Sequence, residues 1–124
     1  MNHKTTHPGL AAVFRRAAEV ITRNGFYQGH YFDDTQRSPR SPSELPVCTI
    51  GALRVAAGTA PQPLTPTDVP SIVAEAMAVL SARIESTIVD GDHEERIAQW
   101  SDTVGRTADE VVAEFLAAAE AVAA

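Results

Sequence analysis

Apolar residues recur at helical spacing in five separate stretches of the chain. In the first, Leu10, Val13, Phe14, Ala17, Val20 and Ile21 share one face while Arg15, Arg16, Glu19 and Arg23 fall elsewhere. This predicts an amphipathic helix that follows Pro8-Gly9 and stops at Asn24-Gly25, residues suited to a left-handed helix end. A second, short helix is expected from about Pro46 through Ala57, rich in small residues and closed by Gly58. Gly51 inside it costs about 1 kcal/mol relative to alanine, so either another backbone approaches it or the helix begins later. The third stretch, capped by Thr67 or Asp68, carries Val69, Ile72, Val73, Ala76, Leu80 and Ile84, widened by Met77 and Val79. It is the expected central helix, running on towards Val89 and the Asp90-Gly91-Asp92 turn. A fourth helix, about His93 to Thr103, presents Ile97, Trp100 and Val104 before Gly105 breaks it. Thr107-Ala108-Asp109-Glu110 has capping-box spacing and opens a fifth, with Val111, Val112, Phe115, Leu116, Ala119 and Val122 on its buried face.

No stretch shows the alternation of a half-buried strand. The fold class is therefore all-α: one bundle of about five helices, a single domain over residues 1–124 with a polar, flexible tail at 1–8. Two segments interrupt the helical pattern. Residues 26–34 hold four of the seven aromatic residues, Phe26, Tyr27, Tyr31 and Phe32. Rings at that density either cap the helical core or line a pocket or partner surface. The serine- and proline-rich connector at 35–45 reads as exposed and mobile. Thr59 to Pro66, with three prolines, reads as a stiff loop.

Composition narrows the function classes. At 124 residues, 44% hydrophobic and 21% charged, the chain is an ordinary folded domain, long enough to bury a core. A net charge of −6 argues against nucleic acid and anionic membranes, because either meets a repulsive average field. The charge is uneven, however. Residues 1–66 carry seven bases against four acids, and residues 67–124 carry three against twelve. Such halves commonly pair within the fold or across a homodimer, although the basic half, through Arg15, Arg16, Arg23, Arg37 and Arg40, is also the surface a nucleic acid would choose. Cys48 is the single cysteine, so an intrachain disulfide is impossible and a reducing cytoplasm is the expected compartment. No stretch is apolar enough for a membrane span, and residues 1–7 lack a signal-peptide core.

Phosphate-binding loops, dinucleotide fingerprints, paired histidines, Cys-x-x-Cys and EF-hand loops are all missing, so no cofactor is expected. Asp90-Gly91-Asp92-His93-Glu94-Glu95 is the densest group of hard ligands. Acids at a helix N-terminus are what the helix dipole favours anyway, and no metal is assigned. The parts of a thiol catalyst are present: Cys48 near the start of the second helix, His30 or His93 as base, and Asp33, Asp34 or Asp102 to orient it. A cysteine between Val47, Thr49 and Ile50 is more usually a buried small hydrophobe. Trp100 reads as core, with Ser101 and Asp102 forming a polar patch in which Asp102 pairs with Arg106.

The order of Gly25-Phe26, Cys48-Thr49-Ile50-Gly51-Ala52, Trp100-Ser101-Asp102 and Gly105-Arg106-Thr107 with Glu110-Val111 resembles a family of small uncharacterised proteins of actinobacteria and their phages. In that family's pattern a tryptophan is more usual at Phe26, and an asparagine stands at Ser101. The resemblance implies a helical layout over roughly residues 10–120, such an origin, no established activity, and Cys48, Trp100, Asp102 and Arg106 as one cluster. The leading expectation is a small cytoplasmic interaction or regulatory module for a protein, small peptide or metabolite. Its surface would join Phe26, Tyr27, Tyr31 and Phe32 to Cys48, Trp100 and Arg106. The alternative is an accessory enzyme of a host-specific pathway in which Cys48, His30 and Asp102 surround a pocket.

Overall fold

Helix α1 (Leu10–Asn24) buries Leu10, Val13, Phe14, Ala17, Val20 and Ile21, the face its periodicity marks. It ends where Gly25, at φ 105°, donates its N–H to the Ile21 carbonyl; a side chain at that angle would be strained. The computed structural model describes residues 9–36, 40–88 and 91–123. The tail 1–8, residues 37–39 of the connector with Arg37, and Val89-Asp90 lie outside the described residues. After α1 come a single 3-10 turn (Pro42–Glu44), then α2 (Thr49–Ala56), α3 (Ser71–Arg83), α4 (His93–Ser101) and α5 (Ala108–Ala123). Five α-helices and no strand are present among the described residues, an all-α fold. α1 lies chiefly along α5, where Phe14 and Phe115 meet with ring centroids 6.4 Å apart. Both rings are fully buried, and each contributes about 2–3 kcal/mol through water excluded.

The second helix begins at Thr49, three residues later than Pro46, because the backbone of Pro46 to Cys48 is held extended by the aromatic loop. Val47 donates to the Gly25 carbonyl and accepts from the Tyr27 N–H. Pro46 accepts from Asp33, and Cys48 donates to the Tyr31 carbonyl. Phe26 and Phe32 thus flank Val47 on opposite sides as isolated bridges. Gly51 lies under this arrangement. A Cβ there would collide with the Tyr31 carbonyl oxygen and press on the Val47 Cβ at 3.2 Å, so the close backbone approach expected at this glycine is present.

Other boundaries also move. Neither Thr67 nor Asp68 caps α3; Pro70 occupies that position. The Asp68 carboxylate instead accepts from the Leu64 N–H and from Arg54. α3 stops at Arg83 and does not reach Val89, since Ile84 is already extended. α4 stops at Ser101, so Val104 is 97% exposed rather than packed. Leu116 on α5 is likewise exposed, while Ala118 takes a core position. The Thr107–Glu110 capping box is formed, each residue holding the other's backbone N–H. The connector's described part is tied down at 43–45: the Asn24 amide donates to the Ser43 and Leu45 carbonyls, and Leu45 is buried.

Two arginines fasten the loops. Arg54, only 2% exposed, donates to the carbonyls of Ala60 and Asp68 and to the Asp68 carboxylate, which pins the proline-rich loop against α2. Arg96 reaches from α4 to the Ser81 hydroxyl and carbonyl and to the Ile88 carbonyl, closing the end of α3 onto α4.

Gly51→Ala is expected to lower stability by about 1–3 kcal/mol, because neither the Tyr31 backbone nor Val47 can retreat freely. A fall in the urea midpoint at unchanged m-value is the readout. Arg54→Met, which removes the buried donor that ties the Ala60 and Asp68 carbonyls and the Asp68 carboxylate to α2, should cost about 1–3 kcal/mol by the same measurement.

Candidate functional site

The face of α4 that carries Glu94, Ala98, Ser101 and Asp102 follows from helical spacing: residues at i, i+4, i+7 and i+8 lie close together on one side. The opposite side, with Ile97 and Trp100, enters the core. The aromatic loop crosses this face and is tied to it at both ends. Gly29 donates its N–H to Asp102 Oδ1 at 2.9 Å, and the Tyr31 hydroxyl donates to Glu94 Oε2 at 2.6 Å. Beside them, the Gln28 amide donates to the carbonyls of Ser101 and Thr103. Between loop, α2 and α4 remains a cleft of about 190 Å³, lined by Gly29, His30, Tyr31, Cys48, Ile50, Glu94, Ala98, Ser101 and Asp102. A second depression of about 360 Å³ adjoins it, with Tyr31, Glu94 and Ala98 common to both and Pro63, Pro66, Val69, Asp92 and Glu95 beyond.

The three residues expected to form a thiol centre, Cys48, His30 and Asp102, all line this cleft. Their bonding is not that of an activated nucleophile. Cys48 is the N-cap of α2, and its sulfur accepts the Gly51 N–H at 3.3 Å. That position would lower a thiol pKa, but burial outweighs it and pushes the thiol up to about 11, with the Asp102 carboxylate acting in the same direction. His30 turns Nε2 towards Asp34 Oδ2 at 3.5 Å, and its ring packs against those of Tyr31 and Phe32. Among the described residues no hydrogen bond joins His30 to Cys48.

The other expected contact residues divide. Tyr31 faces the cleft. Phe26 and Phe32 are half-buried against the core, and Tyr27 is half-buried with its N–H on Val47. Trp100 is core, 8% exposed, and Arg106 lies over its ring at 4.1 Å while donating to its carbonyl. Arg106 also faces Glu110, at 3.5 Å, so the expected Asp102–Arg106 pair is not formed; Asp102 is engaged with the aromatic loop instead. Cys48 and Asp102 therefore share the cleft, while Trp100 and Arg106 pair outside its lining.

Glu94 and Ser101 stand in the sequence reading only as a hard ligand and a polar-patch residue, and Ala98 is missing from it; their shared spacing on the fourth helix is the signal that joins them as one lining. Ser101 is buried. Its hydroxyl oxygen accepts from the Thr49 hydroxyl at 2.8 Å, which fastens the end of α4 to the start of α2 and so sets the depth of the cleft. Asp92 and Glu95 are occupied in a capping box at the start of α4, and among the described residues no three His, Cys, Asp or Glu side chains gather as a metal site. No helix among the described residues is long and apolar enough to cross a membrane.

The model of the family of unknown function DUF6197 matches residues 5–121, and the chain belongs to that family. No curated protein and no solved structure matches it.

Partial burial, and after it the Glu94 carboxylate that accepts the Tyr31 hydroxyl, raise the Tyr31 phenol from 10.0 to about 12. A raised folded pKa stabilises the fold fully below the unfolded value and ceases to do so as pH climbs through the folded one. Stability should therefore fall between about pH 10 and 12. In a Tyr27→Phe background, absorbance titration should place the remaining phenol near 12. Glu94→Gln should bring it part of the way back, and an unchanged midpoint would refute the coupling.

Proposed function

We propose that this DUF6197 chain is a small helical binding module, working in the cytoplasm, whose cleft between the aromatic loop and α4 takes a small peptide or metabolite. The observation that carries this reading is that one concave site draws its walls from three separate segments, each bonded to the others around the opening. Loop residues Gly29 and Tyr31 hold the carboxylates of α4, and Ser101 holds Thr49 at the start of α2. Such cross-bracing keeps a binding site formed before its ligand arrives, which reduces the ordering cost of association. An apolar floor of Ile50 and Ala98 beneath a rim of carboxylates, phenol and imidazole is the usual composition of a small-ligand site.

The enzyme reading uses the same cleft, and the shared lining of Cys48, His30 and Asp102 is what favours it. The buried, high-pKa thiol and the turn of His30 towards Asp34 weigh against chemistry at Cys48.

Two measurements separate these readings. Native Cys48 should resist iodoacetamide from pH 5 to 9, read by intact mass, and react only when urea unfolds the chain. Rapid alkylation with a midpoint below about 7 would replace the binding module by the enzyme. Second, titration of the isotope-labelled protein with mixtures of metabolites and short peptides should shift the amides of Gly29, Ile50, Ala98 and Ser101. Ala98→Trp, which fills the cleft from an already half-exposed position, should abolish those shifts. Shifts that survive it would place the binding surface elsewhere.

A further inference from the structure

We infer that the cleft and the depression beside it are one groove, divided only by the Tyr31–Glu94 hydrogen bond, and that its ligand is a small organic cation bearing a primary amine or guanidinium. The inference rests on the binding-cleft reading and names the chemistry of its ligand. Continuity comes first: Tyr31, Glu94 and Ala98 line both cavities, so the phenol and the carboxylate form the partition between them.

Charge selects the occupant. Glu94 stands on the partition and Asp102 at the far end of the first cavity, eight residues along α4 and so about 12 Å apart along the axis. Neither carboxylate has a basic partner among the described residues. The two arginines nearest in sequence are turned away, Arg96 to Ser81 and Ile88, and Arg106 to the face of Trp100. Asp102 is held by a backbone N–H and Glu94 by a neutral phenol, which satisfy hydrogen bonding without neutralising charge. Between the carboxylates the floor is apolar, formed by Ile50 and Ala98, and the Tyr31 ring stands at the side.

An alkylammonium or guanidinium matches all three features. The phenol already makes a charge-assisted hydrogen bond to Glu94; a cationic head replaces it with one in which donor and acceptor are both charged, which neutralises the carboxylate as the phenol cannot, while its methylenes cover Ile50 and Ala98. The displaced Tyr31 side chain lies beside the cation, where its ring face is attractive. An anion would meet Glu94 and Asp102 in the first cavity and Asp92 and Glu95 in the second, and a neutral ligand would have to outbid the phenol without added charge. The partition therefore acts as a filter: Tyr31 yields to a cation because only a cation gives Glu94 a better donor.

The test compares butylammonium, butanol and butyrate, three probes of similar size that differ in charge, by amide shifts of the full chain. Butylammonium should shift Gly29, Ala98 and Ser101 and bind about tenfold more tightly than butanol, as one charged hydrogen bond provides. Glu94→Gln should remove that preference while the urea midpoint confirms the fold. Tyr31→Phe, which deletes the competing donor, should bind butylammonium as tightly as the wild type or more so. A merely structural role for Tyr31 predicts weaker binding instead and would overturn the partition. A capped Gly-Arg-Gly peptide identifies the source. Tighter binding than butylammonium points to a peptide side chain and weaker binding to a free amine, and either order supports a cationic ligand. Equal binding of butanol or butyrate at the same amides overturns the cation and leaves the binding cleft standing. The binding-cleft reading falls separately, if the shifts from metabolite and peptide mixtures survive Ala98→Trp.

Discussion

The contact on which the site depends is a backbone one: the Tyr31 carbonyl accepts the Cys48 N–H and lies directly over Gly51. No residue with a Cβ fits beneath it without displacement. Because the loop can sit this low, Val47 becomes its partner on two sides, and Phe26, Tyr31 and Phe32 pack half-buried against the core instead of standing clear of the bundle. The loop's position then determines everything above it. Gly29 reaches Asp102, Tyr31 reaches Glu94, and the space left between them is the cleft.

The same contact explains why Cys48 is quiet. A helix N-terminus offers a thiol its orphan N–H groups and a favourable dipole, and Cys48 takes one of those groups from Gly51. The loop seals the position, however. Desolvation of a thiolate exceeds what one N–H and a two-turn helix supply, and a carboxylate across the cleft adds to the penalty. Covering the end of α2 with Tyr31 and activating the residue that caps it are competing demands.

Helical periodicity made the five helices and most of their buried faces legible in the amino-acid pattern, including α3, which no side chain caps and which its apolar residues mark alone. The misplaced polar partners share one cause: side chains expected to act locally were committed to other segments. Asp68 has the chemistry to start α3, but Arg54 and Leu64 hold it. Asp102 has the spacing to meet Arg106, but the aromatic loop claims it first. Arg54 appeared as one more basic residue of the first half, whereas it is the largest fully buried side chain. Periodicity reports which face is apolar; it carries no information about an arginine whose acceptors lie six and fourteen residues away on a loop. The cleft was legible in part. Cys48, His30, Tyr31 and Asp102 were each singled out, but their convergence depends on where the loop crosses α4, which long-range contacts decide.

α4 carries the structural and the candidate functional demands at once, and at nine residues it is too short to be stable alone. One side provides Ile97 and Trp100 to the core; the other lines the cleft. A helix in that position must be anchored by more than apolar burial, since of its nine residues only Ile97, Trp100 and Ser101 are buried. The anchors are spread along its length: the Asp92–Glu95 box at its start, Arg96 to α3 in its middle, and Ser101 to Thr49 with Arg106 on Trp100 at its end. None of them uses Glu94 or Ala98. Glu94 holds the Tyr31 hydroxyl and Ala98 packs at the edge of the core, so at these two positions α4 meets the aromatic loop and the cleft rather than its neighbouring helices, and substitution there should disturb the cleft more than the bundle.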